Sequence, residues 1–243
     1  MPKIHIIQPM GGGGTRFKKQ GFVLPKPLLE LKDKPFFYWA TESLYKDIND
    51  KDLTFVVLKE HVEEFKIDQK IKEYYKSANI VVIPEILNGA VLTALEGVKD
   101  IKDDDPIIIN DCDHAFSCKK FNDYCNKGDF SDLDGALLTF KSDDPKYSYL
   151  EMDETGNVTH TVEKKVVSSN AICGAYYFKN AKIFEKYAKR YLKNCDYVEF
   201  FMSGVYNEMA KDSLKISNFT CDYHIPFGTP EEYEEAKKEE LFR

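Results

Sequence analysis

Two rhythms of apolar positions alternate along the first half of this chain. Short continuous apolar runs, Ile4 to Ile7, Leu53 to Leu58, Ile80 to Ile83 and Ile107 to Ile109, have the length and β-branched content of strands buried on both faces. Between them, Pro35 to Tyr45, His61 to Tyr75 and Gly89 to Val98 carry apolar residues at helical spacing. Lys34-Pro35 puts proline at a natural first-turn position. This alternation predicts a parallel sheet wound with helices, and ligands of such sheets gather at the carboxyl ends of the strands. In the second half, Gly135 to Phe140, Tyr147 to Met152, Asn157 to Val162 and Ala171 to Phe178 read as strands, with Asp153-Glu154-Thr155-Gly156 as a hairpin turn. Ala181 to Lys193, Glu199 to Lys211 and Pro230 to Glu239 read as helices, and Leu214 to Thr220 as a late strand. No linker-like stretch separates the halves, so residues 1–243 are expected to form one domain.

Composition narrows the partners. A net charge of −7 and a pI near 5.4 argue against nucleic acid. The six cysteines form no CxxC pair and no His/Cys metal spacing, which fits reduced thiols in a cytoplasmic protein. No secretory leader and no membrane-spanning apolar run is read. Phe36, Phe37, Tyr38 and Trp39, at helical spacing, read as core or dimer contacts rather than a base-stacking box. The oligomeric state stays open, with a homo-oligomer among the possibilities.

The chemistry concentrates where the first strand ends. Gly11, Gly12, Gly13 and Gly14 follow it, then Thr15 and Arg16. Glycines let a backbone approach a ligand closely, and clustered amide N–H groups make an anion site. Arg16 is one of three arginines in a lysine-biased chain, which points to a need for its fork geometry. Lys26 is stiffened between Pro25 and Pro27. The stretch reads as a nucleoside-triphosphate cradle. It is neither a Walker A motif nor a dinucleotide fingerprint, since no Gly-Lys-Ser/Thr follows and no helix is expected to open at once. An acidic protein that binds such a polyanion must gather positive charge locally and recruit a divalent cation. A second site is the run Ile107 to His114, a buried strand ending in Asp111 and Asp113, carboxylates that must be solvated, paired or metal-bound.

Gly12-x-Gly14-Thr15-Arg16-Phe17 with Pro25-Lys26-Pro27-Leu28 resembles the signature of the sugar-phosphate nucleotidyltransferases, most closely the branch of bacterial capsule and surface-polysaccharide synthesis. The resemblance extends to the Gly228-Thr229-Pro230-Glu231-Glu232-Tyr233 segment. It implies a GT-A-like Rossmann α/β fold, a mostly parallel central sheet with a substrate-side β extension. It further implies a nucleotide-binding half, 1–115, and an acceptor-binding half, 116–243. The partners would be an NTP and a phosphorylated small-molecule acceptor, with Mg²⁺ as cofactor and pyrophosphate released. By this resemblance Arg16, Lys26 and Lys164 are catalytic, and Asp113, with Asp111 beside it, holds the metal. Asn88 and Gly89 read the base, although an N-cap Asn followed by Gly explains the same letters. Glu163, Asn170 and Glu199 face the acceptor.

One departure stands out. The family's late metal-binding Asp, two residues before Gly228, is replaced by Pro226, so either Asp111 or Glu199 serves instead or Asp113 acts alone. The acceptor is expected to be a sugar 1-phosphate, the alternatives being a polyol or choline-like phosphate with CTP, or nucleotide binding without turnover. Asp111-Cys112-Asp113 also fits the DxD motif of glycosyltransferases formally, but the glycine–Arg–PKP signature is foreign to them.

Overall fold

The computed structural model describes residues 3–102 and 104–242. Its strands in chain order are β1 (Ile4–Met10), β2 (Glu30–Leu31), β3 (Lys34–Pro35), β4 (Lys51–Leu58), β5 (Asn79–Ile83), β6 (Ile107–Asn110) and β7 (His114–Ser117). The second half adds β8 (Gly135–Lys141), β9 (Tyr149–Met152), β10 (Val158–Val162), β11 (Asn170–Phe178), β12 (Ile216–Thr220) and β13 (Tyr223–Pro226). The helices are α1 (Thr15–Lys19), α2 (Phe36–Tyr45), α3 (Lys59–Phe65), α4 (Ile67–Tyr74), α5 (Ala90–Val98), α6 (Lys119–Lys127), α7 (Ala181–Asn194), α8 (Ser203–Lys211) and α9 (Pro230–Ala236).

The expected wound α/β architecture is present. A nine-stranded sheet runs β10-β9-β11-β6-β1-β4-β5, and β8 pairs with both β11 and β12. The β6–β1–β4–β5 block is parallel throughout. β11 then lies antiparallel to β6 and carries the second half onto the same sheet. The continuous apolar runs of β1, β4 and β6 are explained by burial on both faces: Ile6 packs with Phe55 and Val57 on one side, Ile7 with Val56 and Ile107 on the other. The run of β5 is not, since this strand lies at the sheet edge and buries only Ile83, with Val82 exposed. A third cluster, around Phe17, Phe36 and Phe227, ties the start of the chain to its end. The aromatics of α2 are core here. Phe36 and Phe37 are fully buried, and Trp39 donates to the Leu31 carbonyl at 2.9 Å while its ring packs on Phe242.

Several elements differ from the sequence expectation. The helix expected over His61 to Tyr75 is two helices, because Lys66 adopts the left-handed conformation (φ 53°, ψ 38°) between them. The break re-aims the chain so that His61 on α3 and Ile67 and Ile71 on α4 can all be buried. Pro35 is the N-cap of α2, not its first-turn residue. A short helix does open directly after the glycines, since Thr15–Lys19 forms α1 and buries Phe17. The helix expected from Glu199 starts at Ser203, leaving residues 199–202 irregular beside the cleft. The ribbon of β7 and β13 was not anticipated; each strand is too short to show a period.

Helix α5 lies so close to the sheet that a Cβ on Gly97 would sit 2.6 Å from Ile7 Cγ2 and 2.8 Å from Val56 Cγ2. Gly97→Val should therefore force α5 off β1 and β4, lowering the free energy of unfolding by about 2 kcal/mol. The check is a lower urea midpoint; an unchanged midpoint would mean that the helix can shift freely.

Candidate active site

The carboxyl ends of β1 and β6 open into a cleft of two lobes. One lobe, a cavity of about 360 Å³, is lined by Gly11, Gly12, Gly13, Lys26, Gly89 and Thr93 among others. The other, about 250 Å³, is walled by Glu163, Lys164, Lys146, Tyr147, Tyr176 and His224. Asp111, Asp113, Ala90, Glu199 and Phe201 border both lobes.

At the junction the Lys26 ammonium donates to Asp113 Oδ2 at 2.7 Å, each side chain 25% exposed. Pro25 and Pro27 are buried on either side of Lys26, which fixes where its stem leaves the backbone. Burial alone would lower the Lys26 pKa, but the Asp113 carboxylate beside it outweighs that and holds it raised. Burial likewise pushes Asp113 up, and the Lys26 charge and hydrogen bond win, holding it below the usual carboxylate range. Asp111 has no such cation against it. Burial, then repulsion from Asp113, pushes it up to about 7. The two aspartates sit against bare backbone: a Cβ on Gly174 would lie 2.7 Å from Asp111 Oδ2, and one on Gly228 would overlap Asp113 Oδ2 at 2.4 Å. His114 bonds through Nε2 to Asn110 Oδ1 at 3.1 Å and is a wall residue.

Across the junction, the Glu163 carboxylate accepts from the Ser203 hydroxyl. Lys164 is held at φ 52°, a left-handed conformation that costs a non-glycine residue about 1–2 kcal/mol. Its N–H donates to the Tyr147 carbonyl at 3.1 Å, and its ammonium lies 5.0 Å from the Phe201 ring centre.

Other sequence candidates fall outside the two cavities. Gly14 caps α1, with Thr15 and Arg16 exposed on its first turn. The Asn88 amide donates to the Val198 carbonyl at 3.0 Å and so pins the 199–202 segment's approach instead of lining a lobe. Asn170 Oδ1 accepts from Lys141 at 2.7 Å, away from the cleft.

Sequence reasoning missed Lys146, Tyr147, His224 and Glu232. Glu232 stands near the place of the missing late carboxylate. Its Oε2 accepts from the Gly228 and Thr229 N–H groups, both at 3.1 Å. Its Oε1 accepts from the Tyr147 hydroxyl at 3.2 Å and from Lys146 at 3.0 Å. These bonds occupy the carboxylate, which works as a bracket between α9 and the second lobe. The Thr229-x-x-Glu232 capping box was a readable signal for it; nothing local marked Lys146. No group of three or more His, Cys, Asp or Glu side chains placed to hold a metal occurs among the described residues.

A mostly parallel sheet whose ligand edge carries a glycine-rich turn, a clamped lysine and two aspartates is a Rossmann-like architecture. The nucleoside-diphosphate-sugar pyrophosphorylase of Vibrio cholerae has the same fold, with a TM-score of 0.83 at 20% identity over 96% of this chain and 100% of that one. The nucleotidyl transferase family model matches residues 9–241, and the chain belongs to that enzyme family. A mannose-1-phosphate guanyltransferase of Schizosaccharomyces pombe is 27% identical over 233 residues, 92% of this chain but 61% of the relative's length. A D-glycero-alpha-D-manno-heptose 1-phosphate guanylyltransferase of Campylobacter jejuni is 27% identical over 230 residues, 92% of this chain and 94% of its own.

The close fit of Gly228 against Asp113 generates a test. Gly228→Ala should displace the Asp113 carboxylate and cut turnover on the order of a hundredfold. Its melting temperature should stay within a few degrees of wild type, since the clash falls on one side chain at the cleft and leaves the core intact. Retained turnover would show that Asp113 can move without consequence.

Proposed function

We propose that this protein is a sugar-1-phosphate nucleotidyltransferase, joining an NTP to a sugar 1-phosphate with release of pyrophosphate. The observation that carries the reading is the two-lobed cleft, glycines and Lys26 on one side, Lys164 and Glu163 on the other, meeting at Asp111 and Asp113. The Schizosaccharomyces and Campylobacter relatives, a mannose-1-phosphate guanyltransferase and a heptose 1-phosphate guanylyltransferase, support the acceptor class. We read residues 1–115 as the nucleotide half and 116–243 as the acceptor half, with Glu199 and Phe201 of the second half reaching the first lobe and Asp111, Asp113 and His114 of the first half reaching the second. The product would supply activated sugar for surface polysaccharide. No helix among the described residues is long and apolar enough to cross a membrane.

The acceptor phosphate oxygen would attack the α-phosphorus in line with the departing pyrophosphate. It is already ionised, so no covalent intermediate or general base is required. The chain's own groups would then act by positioning and charge neutralisation. The Gly11–Gly13 amides would cradle the triphosphate, Lys26 would hold its oxygens, and Lys164 would fix the acceptor phosphate. Arg16, exposed on α1 beside the glycines, would have to reorient to reach the pyrophosphate. The donor set suits Mg²⁺, which takes one or two carboxylates and completes its shell with water and phosphate oxygens. Asp111, half-buried and without an ion-pair partner, and Asp113 would hold that ion, which when bound would neutralise charge developing on the phosphates.

A screen of the four NTPs against sugar 1-phosphates, with Mg²⁺ present, should release pyrophosphate only when both substrates are supplied. Sugar released from a nucleotide sugar without pyrophosphate would support a glycosyltransferase instead. Asp113→Asn, nearly isosteric, should leave the fold intact and lower the rate by roughly three orders of magnitude. Near-normal turnover of that variant beside an inactive Asp111→Asn would move the metal role to Asp111.

A further inference from the structure

We propose that Lys146 is a second cation for the acceptor's phosphate, an inference that rests on the sugar-1-phosphate reading above. Its basis is the charge balance of the second lobe. Five carboxylates border that cavity: Asp113 is paired with Lys26 and Glu232 with Lys146, whereas Asp111, Glu163 and Glu199 have no ion-pair partner among the described residues. Lys26 does not border it and is engaged by Asp113. The lysines on its wall are Lys146 and Lys164. A dianionic phosphate entering there meets strong repulsion, and Lys164 alone offsets little of it.

Lys146 is placed to supply the second charge. Its ammonium lies 3.0 Å from Glu232 Oε1, 3.2 Å from Asp144 Oδ2 and 4.8 Å from the centre of the Tyr147 ring. These contacts keep a long, flexible side chain at the lip of the cavity. Its side chain is nonetheless 43% exposed, so an entering phosphate reaches it without unfolding anything. An ammonium has three donors, and the two carboxylates use two of them. Glu232 does not depend on Lys146 for its own place, because the Gly228 and Thr229 N–H groups and the Tyr147 hydroxyl already bind it. The Tyr147 carbonyl also accepts from the Lys164 N–H, so the two lysines are carried by one short stretch of backbone contacts.

The test is initial-rate kinetics of pyrophosphate release by the full chain, with the four NTPs and the 1-phosphates of mannose, glucose and galactose as probes. For the best pair, Lys146→Met should raise the acceptor KM about tenfold, as loss of one charge-assisted hydrogen bond does. The NTP KM and the melting temperature should stay near wild type, and Lys146→Arg should restore most of the acceptor affinity. The wild-type acceptor KM should rise with salt, and Lys146→Met should flatten that dependence. An unchanged acceptor KM in Lys146→Met overturns this proposal while leaving the nucleotidyltransferase reading intact. Equal rises in both KM values with a lowered melting temperature also overturn it, making Lys146 a clamp for Glu232. Wild-type protein inert toward every pair overturns the sugar-1-phosphate reading and this proposal together.

Discussion

The ion pair of Lys26 with Asp113, at 2.7 Å, is the contact on which the cleft depends. It joins the turn after the glycines to the end of β6, two segments that β1 and β6 pairing brings near each other but does not lock at their tips. A partly buried pair of this kind adds little net stability, because desolvation offsets most of the Coulomb gain. Its effect is on arrangement. Breaking it from either side leaves an uncompensated charge at the sheet edge, which the remaining exposure of each side chain lets water solvate without rearranging the fold. Gly228 packs on the same carboxylate, and the Phe227 N–H donates to the Asp113 carbonyl at 2.9 Å, so the C-terminal segment takes its position from Asp113 as well.

That arrangement fixes what each lobe has available. Asp113 is neutralised within the protein by its ion pair with Lys26, whereas Asp111, half-buried beside it, has no ion-pair partner and is only partly offset by the Lys26 charge. In the proposed reaction the incoming charges would complete this half-balanced cluster, exchanging Lys26 from carboxylate to phosphate as they bind. The exchange of Lys26 and the turn of Arg16 would thus fall in the binding step, leaving the charges in place as charge moves in the transition state.

The glycine-lined lobe was legible in the sequence because its parts are local. The buried strands β1, β4 and β6 announce themselves as unbroken apolar runs, the glycines and the two aspartates follow strand ends that such runs define, and Lys26 is marked by the prolines on either side of it. Arg16 shows the limit of that reasoning. The scarcity of arginine suggested a geometric need, and at Arg190 the structure shows one, with the guanidinium gripping Glu208 at 2.6 Å and Asp212 at 2.7 Å. Arg16 is exposed outside the cavities instead, on the first turn of α1. Lys66 was invisible for a related reason, because a left-handed break without glycine is imposed by the packing of Ile67 and Ile71 and leaves no compositional mark.

The lobe walled by Lys146 and Lys164 was harder to read because long-range contacts assemble it. Lys146 lies in the connection between β8 and β9, Glu232 on α9, His224 on the β13 ribbon and Phe201 in an irregular stretch before α8, and none of these segments has a period that reveals its neighbours. What unites them is hydrogen bonding across the fold, above all Glu232 reaching back to Tyr147. Such a lobe can change its lining one loop at a time without disturbing the sheet, whereas Gly11–Gly13, Lys26 and Asp113 are constrained by strand register and by one another. If the proposed reaction holds, conserved chemistry would reside in the legible lobe and acceptor choice in the other. This follows from the physical difference between a site set by strand ends and one set by tertiary contacts.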